Sequence, residues 1–154
     1  MSDAARAFVG LGANLGDART AVLRAMDALD GLPGTRVVAR SSLYRSAPVD
    51  ATGPDFVNAV VALETTLDPS DLLAELQRLE HDALRERPYR NAPRTLDLDL
   101  LRHGDAVLRT ARLSLPHPRM HERAFVLRPL AEIAPALVTP AQLDAVAGQA
   151  IERL

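Results

Sequence analysis

The sequence predicts an α+β fold, a largely antiparallel sheet flanked by helices. Three observations predict it: the elements run in the rough order β-α-β-β-α-β-α-α, residues 95–100 alternate strictly between leucine and polar side chains, and 47% apolar content over 154 residues provides for one sizeable core. The first strand is expected over Ala7 to Leu11, closing in Gly10-Leu11-Gly12, and Asp17 is placed to cap a helix running to Leu29. Gly31, Pro33 and Gly34 break that helix, after which Thr35 to Tyr44 is a β-rich run leading to a loop from Pro48 to Pro54. A long strand follows from Phe56 to Thr65, and Asp68-Pro69-Ser70 starts a helix to about Leu84. Thr95 to Leu101 is the next strand, His103-Gly104-Asp105 a turn, and Ala106 to Leu115 a ragged extended stretch. Two further helices are expected, over Glu122 to Ile133 and Pro140 to Leu154. All of 1–154 reads as a single domain, with no internal repeat or low-complexity tract.

Composition narrows the chemistry. A formal charge of −2 without any sustained basic block argues against a surface that coats nucleic acid or anionic lipid. The absence of cysteine removes disulfides, thiolate metal sites and a cysteine nucleophile, leaving oxygen and imidazole as metal ligands. All 18 basic residues are arginine, so a phosphate-binding or Schiff-base lysine is excluded and phosphate recognition falls to guanidinium groups. No run approaches the roughly 20 apolar residues of a membrane span, and a cytoplasmic location is the default expectation.

In Thr95-Leu96-Asp97-Leu98-Asp99-Leu100 the three leucines point one way and Thr95, Asp97 and Asp99 the other. Two carboxylates one residue apart on a strand lie about 6–7 Å apart at their Cβ atoms, close enough to converge on a cation. Alone, such a pair is an ordinary solvated strand face. Its neighbour is Arg85-Glu86-Arg87-Pro88-Tyr89-Arg90-Asn91-Ala92-Pro93-Arg94, with four arginines in ten residues and two prolines that make it a loop. Carboxylates for Mg²⁺ beside guanidinium forks suit a nucleoside triphosphate, and the residues therefore predict transfer of a phosphoryl-type group. His117, held between Pro116 and Pro118 near Arg112, Arg119 and Arg123, is either a structural histidine or a phosphate contact. The chain has only three phenylalanines and two tyrosines, and Phe56 shares a strand face with Asn58. Core packing is the ordinary fate of both, and of Phe125; stacking on a flat heterocycle with paired amide hydrogen bonds is the functional alternative. Gly10, Gly12 and Gly16 have the wrong spacing for a dinucleotide-binding turn and are expected to allow close approach of backbone to another element or a ligand.

Taken together, VGLGANLGD, SSLYRSAPV, PDFVNAVVALETTL, PRTLDLDLL and LPHPRMHERAFVLRPLAEIAP resemble, in order, the 6-hydroxymethyl-7,8-dihydropterin pyrophosphokinases of the folate pathway. The resemblance implies a ferredoxin-like fold and an ATP-dependent diphosphotransferase that moves the β,γ-pyrophosphoryl unit of ATP to the pterin hydroxymethyl oxygen and releases AMP. It implies that Asp97 and Asp99 bind two Mg²⁺ ions bridging the ATP phosphates, with Asp97 also near the pterin. It implies that Arg85 and Arg94 are catalytic, and that Gln77, Arg87, Arg90, Arg94, Arg112, Ser114, His117 and Arg123 contact ATP. Phe56 and Phe125 would clamp the pterin, Asn58 would read its amide edge, Ser46, Ala47 and Val49 would line its pocket, and Glu80 matches an acidic position nearby. Many members have Trp-Gly at the place of Asn91-Ala92 and tyrosine at the place of Phe56. The partners so implied are ATP and the pterin; on composition and hydropathy no nucleic acid or membrane partner is expected, and a monomer is the expected state. Two other classes are compatible with the carboxylates: a nucleotide-sensing module without chemistry, and a two-metal nuclease or phosphohydrolase.

Overall fold

A computed structural model describes residues 4–14, 16–47, 54–85 and 96–154. Strand β1 spans Ala5–Ala13 and helix α1 Ala18–Asp30. Asp17 caps α1 as expected, accepting from the Thr20 N–H at 3.1 Å and its hydroxyl at 2.7 Å, and Val22, Ala25, Met26 and Leu29 form the buried stripe. Strands β2 (Thr35–Arg40) and β3 (Tyr44–Ser46) replace the single run expected from Thr35 to Tyr44. The break has a local cause: Ser41 Oγ accepts the Val60 N–H at 2.9 Å, so a side chain takes the place of a ladder bond. Strand β4 covers Phe56–Thr65, and α2 covers Pro69–Arg85 behind the Asp68 carboxylate, which accepts from the Asp71 N–H.

Strand β5 occupies Asp97–His103, two residues further along than expected, with Thr95 outside the described residues. The ragged stretch is a small hairpin of β6 (Leu108–Arg109) and β7 (Ser114–Leu115). The third helix, α3, begins at Ala124 and ends at Ile133, because a 3₁₀ turn takes Met120–Glu122 and Arg123 is extended between them. The terminal helix expected from Pro140 to Leu154 is corrected more deeply. A capping box of Thr139 and Gln142 starts α4, but it stops at Ala145, and Ile151–Arg153 forms β8. Gly148 is a poor helix residue, and the open edge of β3 offers ladder bonds that a longer helix would forgo.

Among the described residues every strand pairing is antiparallel, and the main sheet runs β5-β1-β4-β3-β8 with β2 also on β4. With β2 and β3 counted as one interrupted strand, this is the order of the ferredoxin-like fold. Side chains of alternate residues feed two cores. Val9, Leu11, Val61, Leu98 and Leu100 meet α1 and α2 on one face, while Phe8, Val60 and Leu101 meet α3 and Val146 on the other. Among the described residues no helix is long and apolar enough to cross a membrane.

Glu132 ties the second layer to the sheet. Its carboxylate accepts from the Ser42 N–H and hydroxyl, from Tyr44 Oη at 2.7 Å, and stands 3.6 Å from the Arg153 guanidinium. Burial opposes its ionisation, but the Tyr44 and Ser42 hydrogen bonds outweigh that and hold its carboxyl below the ordinary 4.5. The Tyr44 phenol is pushed up to about 12, by burial first and then by Glu132. A lowered folded value means that this stabilisation is present above the unfolded value and is lost as pH falls through the folded one. Glu132→Ala is expected to cost about 1–2 kcal/mol at pH 7, the low end for charged hydrogen bonds because the site is partly solvated. Urea denaturation checks this, and the gap from the parent should narrow as pH falls below the ordinary 4.5 and the carboxylate protonates.

Candidate active site

The register of three strands builds one wall of the site. Gly12 lies opposite Asp97 on β5 and Asn58 on β4, and Gly10 lies opposite Asp99 and Val60. Residues directly opposite share a face, so both aspartates stand on the α3 side of the sheet while Leu98 and Leu100 go into the other core. The glycines keep this row low: a Cβ on Gly12 would meet Asn58 Nδ2 at 3.1 Å and Phe56 Cδ1 at 3.9 Å. The close approach expected of these glycines is thus to Asn58 and to a cavity of about 600 Å³ that they help line.

That cavity brings together most of the residues singled out for an aromatic ligand. Phe56 and Asn58 come from β4, Ser46 and Ala47 from β3 and the residue after it, and Arg123 and Phe125 from the start of α3. Ser46 Oγ donates to Asn58 Oδ1 at 2.6 Å, which satisfies the buried amide oxygen and leaves the amide nitrogen as the donor available to a ligand. The Arg123 guanidinium sits 5.4 Å from the centre of the Phe125 ring, a cation–π contact. Val49 lies outside the described residues.

A second, smaller cavity of about 270 Å³ lies along β5, lined by Arg112, Ser114, His117 and Leu73 among others. Asp99 lines both cavities. The His117 N–H donates to Leu101 C=O at 2.9 Å, which docks the Pro-His-Pro turn on β5, and its Nδ1 accepts the Arg119 N–H at 3.2 Å. Burial lowers its pKa, with Asp99 acting in the opposite sense and Arg123 and Arg119 adding to the lowering. The imidazole is therefore neutral at pH 7, with Nε2 carrying the proton as a donor. Gln77 is exposed on α2, one helical turn beyond Leu73, and lines neither cavity. Arg87, Arg90 and Arg94 lie outside the described residues, as does the side chain of Arg85, whose backbone ends α2.

The acids repel one another. Burial and then Asp99 raise the Asp97 carboxyl. Glu80, whose Oε2 accepts the Leu98 N–H at 2.9 Å on the open edge of β5, is raised by burial first; that hydrogen bond works against the rise, and Asp97 and Asp99 add to it. Among the described residues no group of three or more acidic or histidine side chains is assembled for a metal ion. Two carboxylates on one face nevertheless fit a hard cation that completes its shell with phosphate oxygens and water. Sequence reasoning missed Gln149, which lines the larger cavity from the C-terminal segment and has no motif around it.

A family model described as 7,8-dihydro-6-hydroxymethylpterin-pyrophosphokinase (HPPK) matches residues 8–135. The 2-amino-4-hydroxy-6-hydroxymethyldihydropteridine pyrophosphokinase of Pseudomonas aeruginosa is 50% identical over 136 residues, which cover 88% of this chain and 84% of that protein. Its counterpart in Haemophilus influenzae is 44% identical over 87% of this chain and 84% of its own, and that of Methylorubrum extorquens 47% identical over 86% and 85%. Among solved structures, a Plasmodium falciparum HPPK-DHPS with pterin and p-hydrobenzoate superposes with a TM-score of 0.59 at 15% identity, a likeness of fold. The superposition covers 86% of this chain and 41% of that larger one. Matched in this way along most of its length, the chain belongs to the 7,8-dihydro-6-hydroxymethylpterin-pyrophosphokinase family.

Proposed function

We propose that the chain transfers the pyrophosphoryl unit of ATP to the hydroxymethyl oxygen of 6-hydroxymethyl-7,8-dihydropterin, releasing AMP, as a step of folate biosynthesis. The observation that carries this reading is the position of Asp99, a shared wall between a ring-and-amide cavity and a cavity lined by Arg112, Ser114 and His117. Two ligands seated on either side of one carboxylate strand present their reacting ends to each other. Phe56 and Phe125 hold the pterin by stacking, Asn58 donates from its amide nitrogen, and Ser46 and Ala47 close the β3 side; Val49 is assigned to the pterin on the family resemblance alone. Arg112, Ser114 and His117 take the nucleotide from the smaller cavity and Arg123 reaches it from the larger one; Gln77, Arg87 and Arg90 are assigned to ATP on the family resemblance alone.

Asp97 and Asp99 would hold two Mg²⁺ ions, which supply neutralisation of the phosphate charge and fix the triphosphate in line. The pterin oxygen forms a bond to the β-phosphorus as the bond from that phosphorus to the α,β-bridging oxygen breaks. The electron pair leaves with AMP, and the hydroxyl proton passes to water. Arg85 and Arg94 neutralise charge on the leaving group. Since the site is assembled within one chain and takes small diffusible substrates, a monomer acting in the cytoplasm is the expected form.

The direct assay mixes the purified chain with ATP, Mg²⁺ and the hydroxymethyl pterin and measures AMP. AMP formed only when the pterin is present is the expected result, and hydrolysis of ATP without it would point to a phosphohydrolase instead. Asp97→Asn and Asp99→Asn should each lower kcat at least about 100-fold, the scale of losing one charge-stabilising group. Circular dichroism should be unchanged, and removing a repelling charge should leave the metal-free Tm of Asp97→Asn equal or higher; near-parent activity in either variant sinks the metal assignment. Gly12→Ala should crowd Asn58 and raise the pterin KM about tenfold, equivalent to about 1.4 kcal/mol, with the ATP KM unmoved.

A further inference from the structure

Gln149 joins the C-terminal segment to the turn that carries Arg123 and Phe125. Its Oε1 accepts the Ala124 N–H at 2.8 Å and its Nε2 donates to Glu122 C=O at 2.8 Å, so one side-chain amide grips both flanks of Arg123. Helix α3 needs this partner. Its N-cap residue, Arg123, is extended (φ −126°, ψ 114°) and its side chain makes no capping bond, which would leave the first amide of the helix, on a buried alanine, without an acceptor. Two residues beyond, Ile151 pairs with Ser46 on β3. Residues 149–153 therefore bridge the two sides of the cavity, the Arg123/Phe125 side and the Ser46/Ala47 side, and this segment lies beyond the residues 8–135 that carry the family match.

We infer that Gln149 is a positioning residue: by capping α3 from the C-terminal segment it sets where Phe125 and Arg123 stand and so determines pterin affinity. The inference rests on the pterin reading of the larger cavity. A side-chain amide is suited to the task because its acceptor and its donor sit on two separate atoms, one reaching Ala124 and the other Glu122, whereas an ionised carboxylate has no donor and a hydroxyl has a single atom for both bonds.

The test compares Gln149→Leu with Thr139→Ala, which removes the capping box of α4 and loosens the same segment without touching the cavity. Pterin affinity is read from the ligand's own fluorescence in the presence of a nonhydrolysable ATP analogue, beside KM and kcat. Gln149→Leu should raise the pterin Kd and KM at least tenfold and change kcat less than threefold, while Thr139→Ala lowers Tm and leaves the pterin Kd within twofold of the parent. A Kd within twofold of the parent in Gln149→Leu, or an equal weakening in Thr139→Ala, overturns the inference. Should Gln149→Leu not fold, Gln149→Glu keeps the acceptor and loses the donor. It should raise the Kd at least threefold, and an unchanged Kd overturns the role. AMP formation by the parent chain is scored separately: its absence removes the proposed reaction, whereas the Kd ratio decides the positioning role, and a parent chain that does not bind the pterin overturns both.

Discussion

The site depends on the burial of Leu98 and Leu100. These two side chains enter the core under α1 and α2, and each burial is worth roughly 1.5–3 kcal/mol. A β-strand has a side-chain period of two, so the same commitment turns Asp97 and Asp99 to the opposite face. Asp97 gains nothing from its place in the fold, since burial and then the neighbouring Asp99 raise its carboxyl. The leucines hold the carboxylates where electrostatics alone would not. A slip of one residue in the β1–β5 register would exchange the faces, so apolar packing also specifies the site.

The space in front of those acids is created by what is missing from β1. Gly10 and Gly12 lie opposite Asp99 and Asp97, and any larger side chain there would stand in the cavity or against Asn58. The register slips between Phe8 and Val9, with Leu101 as the extra residue. Past the slip His103 joins the α2 side, where its Nε2 donates to Leu67 C=O at 2.8 Å, and Leu101 packs over Gly10 beneath α3. One strand thus serves two cores and still offers a carboxylate row between them.

Local periodicity made this much legible in the sequence. The Leu-Asp alternation placed both acids on one face, the Phe56 to Thr65 strand was read with its observed bounds, and Asp17 and Asp68 announced their helices by capping chemistry that is local by nature. Long-range pairing was not legible. Nothing near Ile151 says that it adds to β3, and a short apolar stretch after Pro140 reads equally well as a helix until the open edge of β3 is known. Gln149 was invisible for the same reason, since both of its partners lie 25 or more residues away. The break between β2 and β3 had a weak signal in Ser41-Ser42, but which amide Ser41 would capture is a property of the assembled sheet.

The two sides of the site differ in what they require. On the proposed reading a neutral pterin ring would meet finished surroundings: two phenylalanines, an amide already oriented by Ser46, and a helix start already capped. On the same reading a triphosphate would approach the other side along Asp99, near Asp97 and Glu80, whose carboxyls are raised by burial first and then by the neighbouring acids, and it would meet a histidine that burial keeps neutral. Among the described residues Arg112 alone of the arginines lines the smaller cavity, while Arg119 and Arg123 stand on the larger one, so the proposed nucleotide would need positive charge brought with it or folded over it. Mg²⁺ carried by ATP and the arginines of the 85–94 sequence would be the two sources. On that reading favourable Coulomb energy would require metal, phosphate and guanidinium together, and the acidic strand would favour a metal-bound triphosphate over a bare one.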